Sequence, residues 1–232
     1  MIRENIASLR ERMKAAAERV GRDAGEISLC AATKMNGAEK VREAIACGVD
    51  CCGENRVQEL TQKLSENAYE GAPVHFIGHL QTNKVRQVVG RVALIQSVDR
   101  AELLECIQRE AQKQGIVQDI LFEINIGMEA SKSGFAPDEV TAWAEKMENY
   151  PNCRLRGLMA IPPISRKSGD NCEFFKKIHR ISVDITAKKS HNISMDILSM
   201  GMTDDFEDAI ACGSTMIRVG TAIFGARNYD NK

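Results

Sequence analysis

Short apolar segments with the pattern of β-strands alternate along this chain with amphipathic segments of helical pattern. The apolar segments cover residues 27–33, 50–54, 74–80, 93–99, 119–126, 153–161, 196–201 and 215–225. A helical pattern fills each gap between them. This succession of βα units predicts an α/β fold of the (β/α)8 barrel (TIM barrel) type, with a doubly wound parallel sheet as the alternative architecture. Because no linker interrupts the alternation, we predict a single barrel domain over residues 1–232.

An additional amphipathic helix is predicted before the first strand. Its apolar stripe recurs every three or four residues and consists of Ile2, Ile6, Leu9, Met13, Ala17 and Val20. Farther along the chain, Asp99 and Glu102 have the spacing of a capping box, which predicts a side-chain cap at the start of the helix that follows the fourth strand.

Charge, hydropathy and cysteine content restrict the classes of function. The net charge of −1 offers no electrostatic attraction for nucleic acid or for an anionic membrane. No apolar run reaches the roughly 18 residues of a membrane span, and the charged N-terminus does not resemble a signal peptide. The eight cysteines and four histidines lack the spacing of a zinc site. We therefore expect a cytoplasmic protein with reduced cysteines and no metal.

Polar and charged residues collect where the predicted strands end, which is the functional face of such a barrel. Lys34 follows the first strand, and Asn55 follows the second. The seventh and eighth strands end in SMGMT and RVGT, which contain Ser199, Gly201, Met202, Thr203, Arg218, Gly220 and Thr221. Glycines let backbone amides approach an anion and hydroxyl groups donate to it, so these two loops predict a phosphate site.

Lys34 suggests the chemistry of the ligand. A lysine at a barrel rim can attack a carbonyl group to form a Schiff base, although a lysine just past a strand is more often a surface residue. Together with a phosphate site, it predicts a ligand that carries both an aldehyde and a phosphate. Pyridoxal 5′-phosphate has this chemistry, and a sugar phosphate handled by an aldolase has it too. The residues alone leave both classes open.

Seven stretches of the sequence resemble the pyridoxal phosphate homeostasis proteins, which are single-domain relatives of the alanine racemase N-terminal barrel. The stretches are AATK (31–34), GENRVQEL (53–60), HFIGHLQTNK (75–84), SVDR (97–100), SKSGF (131–135), RLRGLMAIPP (154–163) and LSMGMTDDFEDAIACGSTMIRVGTAIFGAR (198–227). They span nearly the whole chain in the same order. The resemblance implies a protein that binds pyridoxal phosphate (PLP) and buffers it in the cell.

The resemblance also implies roles for individual residues. Lys34 is expected to form an aldimine with PLP. The phosphate is expected to be held by Ser199, Gly201, Met202, Thr203, Gly220 and Thr221. Arg218 is expected to face the pyridine nitrogen and keep it unprotonated, an outward ion pair being the alternative. Asn55 is expected near the aldimine or the ring hydroxyl, and a helix N-cap is its alternative role.

Two further residues at the predicted rim are not interpreted as catalytic groups. His79 departs from the residue expected after FIG in this family, and we interpret it as a polar loop residue rather than an acid–base group. Lys132 is interpreted as a solvent-exposed lysine, with the steering of anions or transient binding of the cofactor as the alternative.

Three functions compete at this point: a binding protein that buffers PLP and passes it to apo-enzymes, an amino-acid racemase, and a regulatory sensor of the cofactor. The resemblance implies that alanine racemase takes its second base, a tyrosine, from a C-terminal domain. This chain ends soon after the eighth strand, and Tyr229 in that tail is not expected to replace the base. Because racemisation needs acid–base groups on both faces of the substrate carbon, we predict a monomeric PLP-binding protein without turnover.

Overall fold

Eight parallel strands close into a barrel in a computed structural model that describes residues 1–129, 131–164, 167–188 and 190–225. Each strand pairs with its neighbours along the chain, and the last pairs with the first. The strands are β1 (Ser28–Ala32), β2 (Cys51–Glu54), β3 (Val74–Phe76), β4 (Leu94–Val98), β5 (Gln118–Ile124), β6 (Cys153–Ala160), β7 (Ile193–Ser199) and β8 (Met216–Val219). The closed barrel confirms the predicted fold and excludes a doubly wound sheet, which has two open edges. Tyr229 lies outside the described residues.

Helices cover the outside of the barrel. They are α1 (Ile2–Glu18), α2 (Ala38–Ala46), α3 (Val57–Ser65), α4 (Ala101–Gln114), α5 (Val140–Glu145), α6 (Cys172–Thr186), α7 (Phe206–Ala211) and α8 (Thr221–Phe224). Shorter 3₁₀ helices occupy Ala24–Glu26, Thr82–Gln87 and Lys146–Asn149. The second of these stands between β3 and β4 in place of an α-helix. Within the described ranges, no helix has the length and apolar character needed to cross a membrane.

The structure corrects three local predictions. The third strand ends at Phe76 rather than at residue 80. The predicted strand 215–225 is a strand only to Val219, after which α8 begins. The expected capping box is absent, because α4 has Arg100 as its N-cap without a side-chain hydrogen bond. The Asp99 carboxylate instead accepts a hydrogen bond from Arg100 and contacts the ring of His79.

The first helix packs along the outside of the barrel where β8 meets β1. Five of the six stripe residues are buried: Ile2, Ile6, Leu9, Met13 and Ala17. Val20 lies beyond the end of the helix and is 43% exposed. The stripe contacts Phe206 of α7 and Ile223 of α8 in one apolar cluster. Because α8 has only four residues, α1 supplies most of the apolar cover on this side.

The interior of the barrel holds polar and sulfur-containing side chains as well as apolar ones. His75, Gln96, Ser199 and Arg218 are all buried and joined by hydrogen bonds. Two of the interior thiols belong to Cys30 and Cys51, which cluster with Met216. All eight cysteines are free thiols. The polar interior places charged groups directly beneath the C-terminal rim.

Candidate functional site

The predicted site residues lie at the C-terminal ends of four strands that are consecutive around the barrel. Lys34 follows β1 and Asn55 follows β2, while the two candidate phosphate loops follow β7 and β8. Barrel closure makes β7, β8, β1 and β2 neighbours, although they come from opposite ends of the chain. We call this set of strand ends the rim arc; it carries Lys34, Asn55, residues 199–203 and residues 218–221.

Lys34 lies in a tight turn directly after β1, and its side chain is half-buried. The next residue, Met35, has a φ of 62°, in the left-handed region that residues other than glycine rarely adopt. The Met35 amide donates to the Glu59 carboxylate of α3 at 2.7 Å, and the Asn36 side chain donates to the Lys34 carbonyl at 3.0 Å. These hydrogen bonds fix the backbone of the turn and therefore the position from which the Lys34 side chain extends.

A buried ion pair supports this turn from below. The Lys63 ammonium lies 2.7 Å from Oε1 of Glu54, and both side chains are almost fully buried. The ammonium also donates to the Thr33 carbonyl at 2.8 Å, while the Thr33 hydroxyl donates to the same Glu54 oxygen at 2.5 Å. Glu54 ends β2 and Thr33 precedes Lys34, so the pair ties the ends of β1 and β2 together. Lys63 and Glu54 were not predicted as site residues.

Asn55 presents a polar atom that the protein leaves unsatisfied. Its Oδ1 is buried and has no hydrogen-bond partner among the described residues. A buried amide oxygen without a partner is costly, so such an atom commonly marks a missing ligand or water. The Asn55 backbone packs against Gly78, where an added Cβ would lie only 2.3 Å from the Asn55 carbonyl oxygen. Glycine at this position lets the loop after β3 approach Asn55.

The loops after β7 and β8 bring two hydroxyl groups together. The Thr203 and Thr221 hydroxyl oxygens are 3.1 Å apart. Gly201 has a φ of 94°, and an added Cβ would lie 2.6 Å from the Cβ of Ala209. The turn therefore requires glycine for its conformation and for its packing on α7. The Met202 amide donates to Asp205 at 2.7 Å, which closes the turn.

Arg218 extends from β8 into the barrel beneath these loops. Its guanidinium donates to both the carbonyl and the hydroxyl of Ser199, each at 2.6 Å, and to the Ala160 carbonyl at 3.0 Å. The Ser199 hydroxyl in turn donates to Gln96 at 2.6 Å. Burial lowers the pKa of Arg218, while the nearby Cys30 and Glu123 act in the opposite direction. The guanidinium is therefore held in one orientation by the strand ends around it.

A pocket beside Asn55 is lined by Glu123 of β5, by His79 of the loop after β3 and by Lys132 of the loop after β5. Burial and the nearby Asp99 raise the pKa of Glu123 to about 7. The Lys132 ammonium lies 2.5 Å from Glu129 and 3.1 Å from the Pro162 carbonyl, so this lysine is half-buried and engaged rather than exposed as expected.

His79, Asp99 and Ser133 lie together but cannot form a catalytic relay in the described arrangement. Nδ1 of His79 is 2.9 Å from Asp99, and the Ser133 hydroxyl is 3.3 Å from the same nitrogen. A relay needs the carboxylate and the hydroxyl on different ring nitrogens. The His79 side chain is also 53% exposed. These observations agree with the interpretation of His79 as a polar loop residue.

Comparison with known proteins fits this geometry. The chain matches the family described as alanine racemase, N-terminal domain, over residues 3–228. It belongs to this family. It is 40% identical over 226 residues to the pyridoxal phosphate homeostasis protein of Aquifex aeolicus, with 97% of this chain and 98% of the relative covered. The protein of the same name from Escherichia coli is 39% identical over 234 residues, covering 100% of this chain and 99% of the relative.

A solved structure of the PipY protein of Synechococcus elongatus with PLP bound is similar in fold and sequence. It superposes with a TM-score of 0.82 at 30% identity, and the match covers 97% of this chain and 100% of the PipY chain. The match to the alanine racemase N-terminal domain family, over residues 3–228, thus includes the whole barrel and nearly all of α1.

The predicted site residues of this family member divide into two groups. Seven of them lie beyond the ends of the strands, in the turns and loops of the rim arc: Lys34, Asn55, Gly201, Met202, Thr203, Gly220 and Thr221. Ser199 and Arg218 lie deeper, where they bond to each other inside the barrel. Sequence reasoning missed Glu54 and Lys63. An acidic residue that ends an apolar strand needs a buried partner, and this was the available signal.

Proposed function

We propose that this protein binds pyridoxal 5′-phosphate at the rim arc and takes part in the buffering and supply of this cofactor in the cell. The observation that carries the proposal is the meeting of Lys34, Asn55 and the two loops that contain Thr203 and Thr221 on four consecutive strands. The names of the relatives and the PLP-bound state of PipY support the same ligand.

The residues of the rim arc fit the functional groups of PLP. The unsatisfied Oδ1 of Asn55 can accept a hydrogen bond from the ring hydroxyl. The paired hydroxyls of Thr203 and Thr221 are the donors that we assign to the phosphate, together with Gly201 and Gly220, which allow close approach of the backbone. Met202 shapes the loop, because its amide is held by Asp205.

Arg218 and Ser199 are assigned to the ring nitrogen. We propose that Arg218 faces this nitrogen and keeps it unprotonated, because a guanidinium is a permanent donor with no acceptor atom. The resemblance implies that Ser199 holds the phosphate, but its side chain is fully buried, so we assign it to fixing the guanidinium instead; its carbonyl and hydroxyl both accept from Arg218. A ring nitrogen that stays neutral makes the cofactor a weaker electron sink, which suits storage better than catalysis.

Lys34 is the amine that we assign to the cofactor aldehyde. When bound, PLP supplies an aldehyde that condenses with a primary amine. Lys34 stands in a turn whose backbone is fixed by Glu59 and Asn36. The other lysine near the pocket, Lys132, has its ammonium against the Glu129 carboxylate and the Pro162 carbonyl. Lys132 therefore serves as the matched comparison for Lys34 in the test below.

Trapping with borohydride tests the assignment. The protein is incubated with PLP, reduced with borohydride, digested and analysed by mass spectrometry. We expect one reduced pyridoxyl group per chain, on the peptide that contains Lys34. Lys34→Ala should lose this adduct completely, whereas the matched variant Lys132→Ala should retain it. An adduct that survives in Lys34→Ala at wild-type stoichiometry contradicts the assignment.

The same preparations test the absence of turnover. We propose a cytoplasmic monomer that hands PLP to apo-enzymes and does not convert amino acids. Incubation with single amino acid enantiomers should leave their chirality unchanged over many equivalents of protein. Racemisation that depends on Lys34 would instead establish the enzymatic alternative, and an adduct with a sugar phosphate in place of PLP would establish an aldolase.

A further inference from the structure

Three soft donor groups meet inside the barrel, beneath the loops of the rim arc. They belong to Cys30 of β1, Cys51 of β2 and His75 of β3, and one donor atom of each lies within 4.8 Å of the other two. The Cys51 sulfur is 3.5 Å from Nδ1 of His75. All three residues are buried, with at most 7% of any of them exposed. The proposed PLP function uses none of them.

Strand pairing holds these donors in place. Cys30 and Cys51 are direct neighbours in the register of β1 and β2, and His75 pairs two residues farther along β2, with Gly53. Cys51 is the first residue of β2 and His75 is the middle residue of β3, so both lie below the strand ends that carry Lys34 and Asn55. The sequence separations of 21 and 24 residues hide this set from any search for short ligand motifs.

The separations suit a bound metal ion. Thiolate sulfur binds metals such as zinc at about 2.3 Å and imidazole nitrogen at about 2.0–2.1 Å. Donors at these lengths around one ion lie roughly 3.5–4 Å from each other in a trigonal or tetrahedral arrangement. The three donor atoms lie within 4.8 Å of one another, which is close to this range. Small side-chain rotations would therefore bring all three within bonding distance of a single ion.

We propose that Cys30, Cys51 and His75 form a binding site for a soft, thiophilic metal ion, and that the ion is Cu(I). Thiolate and thioether ligands suit soft metals, Cu(I) and zinc among them, and the Met216 thioether packs against both cysteines. Structural zinc sites are almost always four-coordinate, whereas the cluster found in the described part of the chain supplies three such donors.

The charge of the surroundings also favours a monovalent ion. Two thiolates and Cu(I) together carry one negative charge, while two thiolates and Zn(II) are neutral. Arg218 pairs in register with Cys30 on the neighbouring strand β8, and the two groups interact electrostatically. A guanidinium beside the cluster compensates a single negative charge and leaves a neutral assembly in the barrel interior, which lowers the cost of burial.

Gln96 competes with the ion for the imidazole. Its amide nitrogen lies 2.9 Å from Nδ1 of His75 and 3.2 Å from the Met216 sulfur. An ion bound to Nδ1 must displace this hydrogen bond. Replacing the amide by an apolar group of similar size, Gln96→Leu, therefore frees the lone pair of Nδ1 and should tighten metal binding.

Competition with a chromogenic Cu(I) chelator under anaerobic, reducing conditions tests the site. The wild-type protein should withhold one Cu(I) per chain from the chelator. Cys51→Ser and His75→Ala should each weaken binding at least tenfold, and Gln96→Leu should strengthen it. The matched control is Cys52→Ser, since Cys52 is a buried cysteine of the same strand that packs in the outer core instead. This control should bind Cu(I) as the wild type does.

Three outcomes overturn the proposal: no retention of Cu(I) by the wild type, retention that persists in Cys51→Ser and His75→Ala, or tighter binding of Zn(II) than of Cu(I) in a parallel titration. X-ray absorption on the loaded wild-type protein requires no variant to fold. It should show sulfur and a single imidazole nitrogen around copper, and coordination by sulfur alone would contradict the assignment of His75 as a ligand.

Discussion

Behind the turn that carries Lys34 lies a carboxylate with no exposed surface, that of Glu54. One of its oxygens accepts from Thr33 and from Lys63, and the other has no partner among the described residues. A buried charge of this kind is tolerated only while its counter-ion is present. The position of Lys34 therefore depends on Lys63, although Lys63 is buried behind the turn and is not part of the proposed binding site.

Lys63→Met should reduce both stability and cofactor retention. Removing one partner of a buried ion pair typically costs about 3–5 kcal/mol, because the other charge stays buried without compensation. The substitution also removes the donor to the Thr33 carbonyl, so the turn at Lys34 should loosen. Urea unfolding measures the first effect, and the yield of borohydride-trapped PLP at Lys34 measures the second.

The double variant Lys63→Met/Glu54→Gln is the control for this prediction. It removes the buried charge together with its partner and should recover most of the lost stability. The yield of trapped PLP should stay low, because the hydrogen bond to Thr33 is still missing. Wild-type stability and wild-type trapping in the single variant would show that the ion pair does not support the turn.

At the scale of elements, α1 closes the outer layer where the short helices α7 and α8 leave the barrel thinly covered. Leu9 is 2% exposed and packs in the cluster that includes Phe206 and Ile223. Leu9→Ala should lower the free energy of unfolding by about 2–5 kcal/mol, the usual cost of a cavity at a buried leucine. Chemical denaturation followed by far-UV circular dichroism measures this change.

Val20→Ala is the matched control for α1, because Val20 has the same spacing in the sequence but is 43% exposed beyond the helix end. It should change the free energy of unfolding by less than about 0.5 kcal/mol. Equal losses in both variants would mean that α1 does not pack on the barrel as described.

Strands and helices were predicted correctly where the hydrophobic periodicity and the turn residues indicate the same element boundaries. All eight strands were found, since short β-rich runs bounded by helical patterns have few other interpretations. The helix after Gly220 was missed, because TAIF is as apolar as the strand before it and periodicity cannot separate the two in four residues. Asp99 was wrongly predicted to cap α4, because its carboxylate bonds to the side chain of Arg100 and contacts the ring of His79 instead of a backbone amide of the helix.

At the scale of the whole molecule, barrel closure explains which parts of the site were predictable. Strand ends of a barrel share one face, so Lys34 and Thr203 could be placed together although 169 residues separate them in the sequence. The interior set of Cys30, Cys51 and His75 was missed. Their proximity depends on the register and on which side chains point inward, and neither is encoded in a local motif.

Glu123 links the barrel interior to the pH dependence of the whole fold. Burial and the neighbouring Asp99 raise the pKa of this carboxyl from its ordinary value of 4.5 to about 7, and Arg218 opposes the change only in part. Between these two pH values the unfolded chain has lost the proton while the folded chain still holds it. The unfolded state is therefore favoured as pH rises, and the folded state loses about 3 kcal/mol by pH 8 relative to pH 4.5 through this group.

Glu123→Gln should remove this dependence, because the amide keeps the shape of the protonated carboxyl and carries no charge. Urea unfolding of cofactor-free wild type and variant at pH 5, 6, 7 and 8 separates this group from all others, which titrate equally in both proteins. The wild type should become less stable than the variant by a margin that grows from pH 5 to pH 8 and approaches 3 kcal/mol. Parallel stability curves for the two proteins would show that Glu123 is ionised in the folded state throughout this range, with its charge compensated by Arg218.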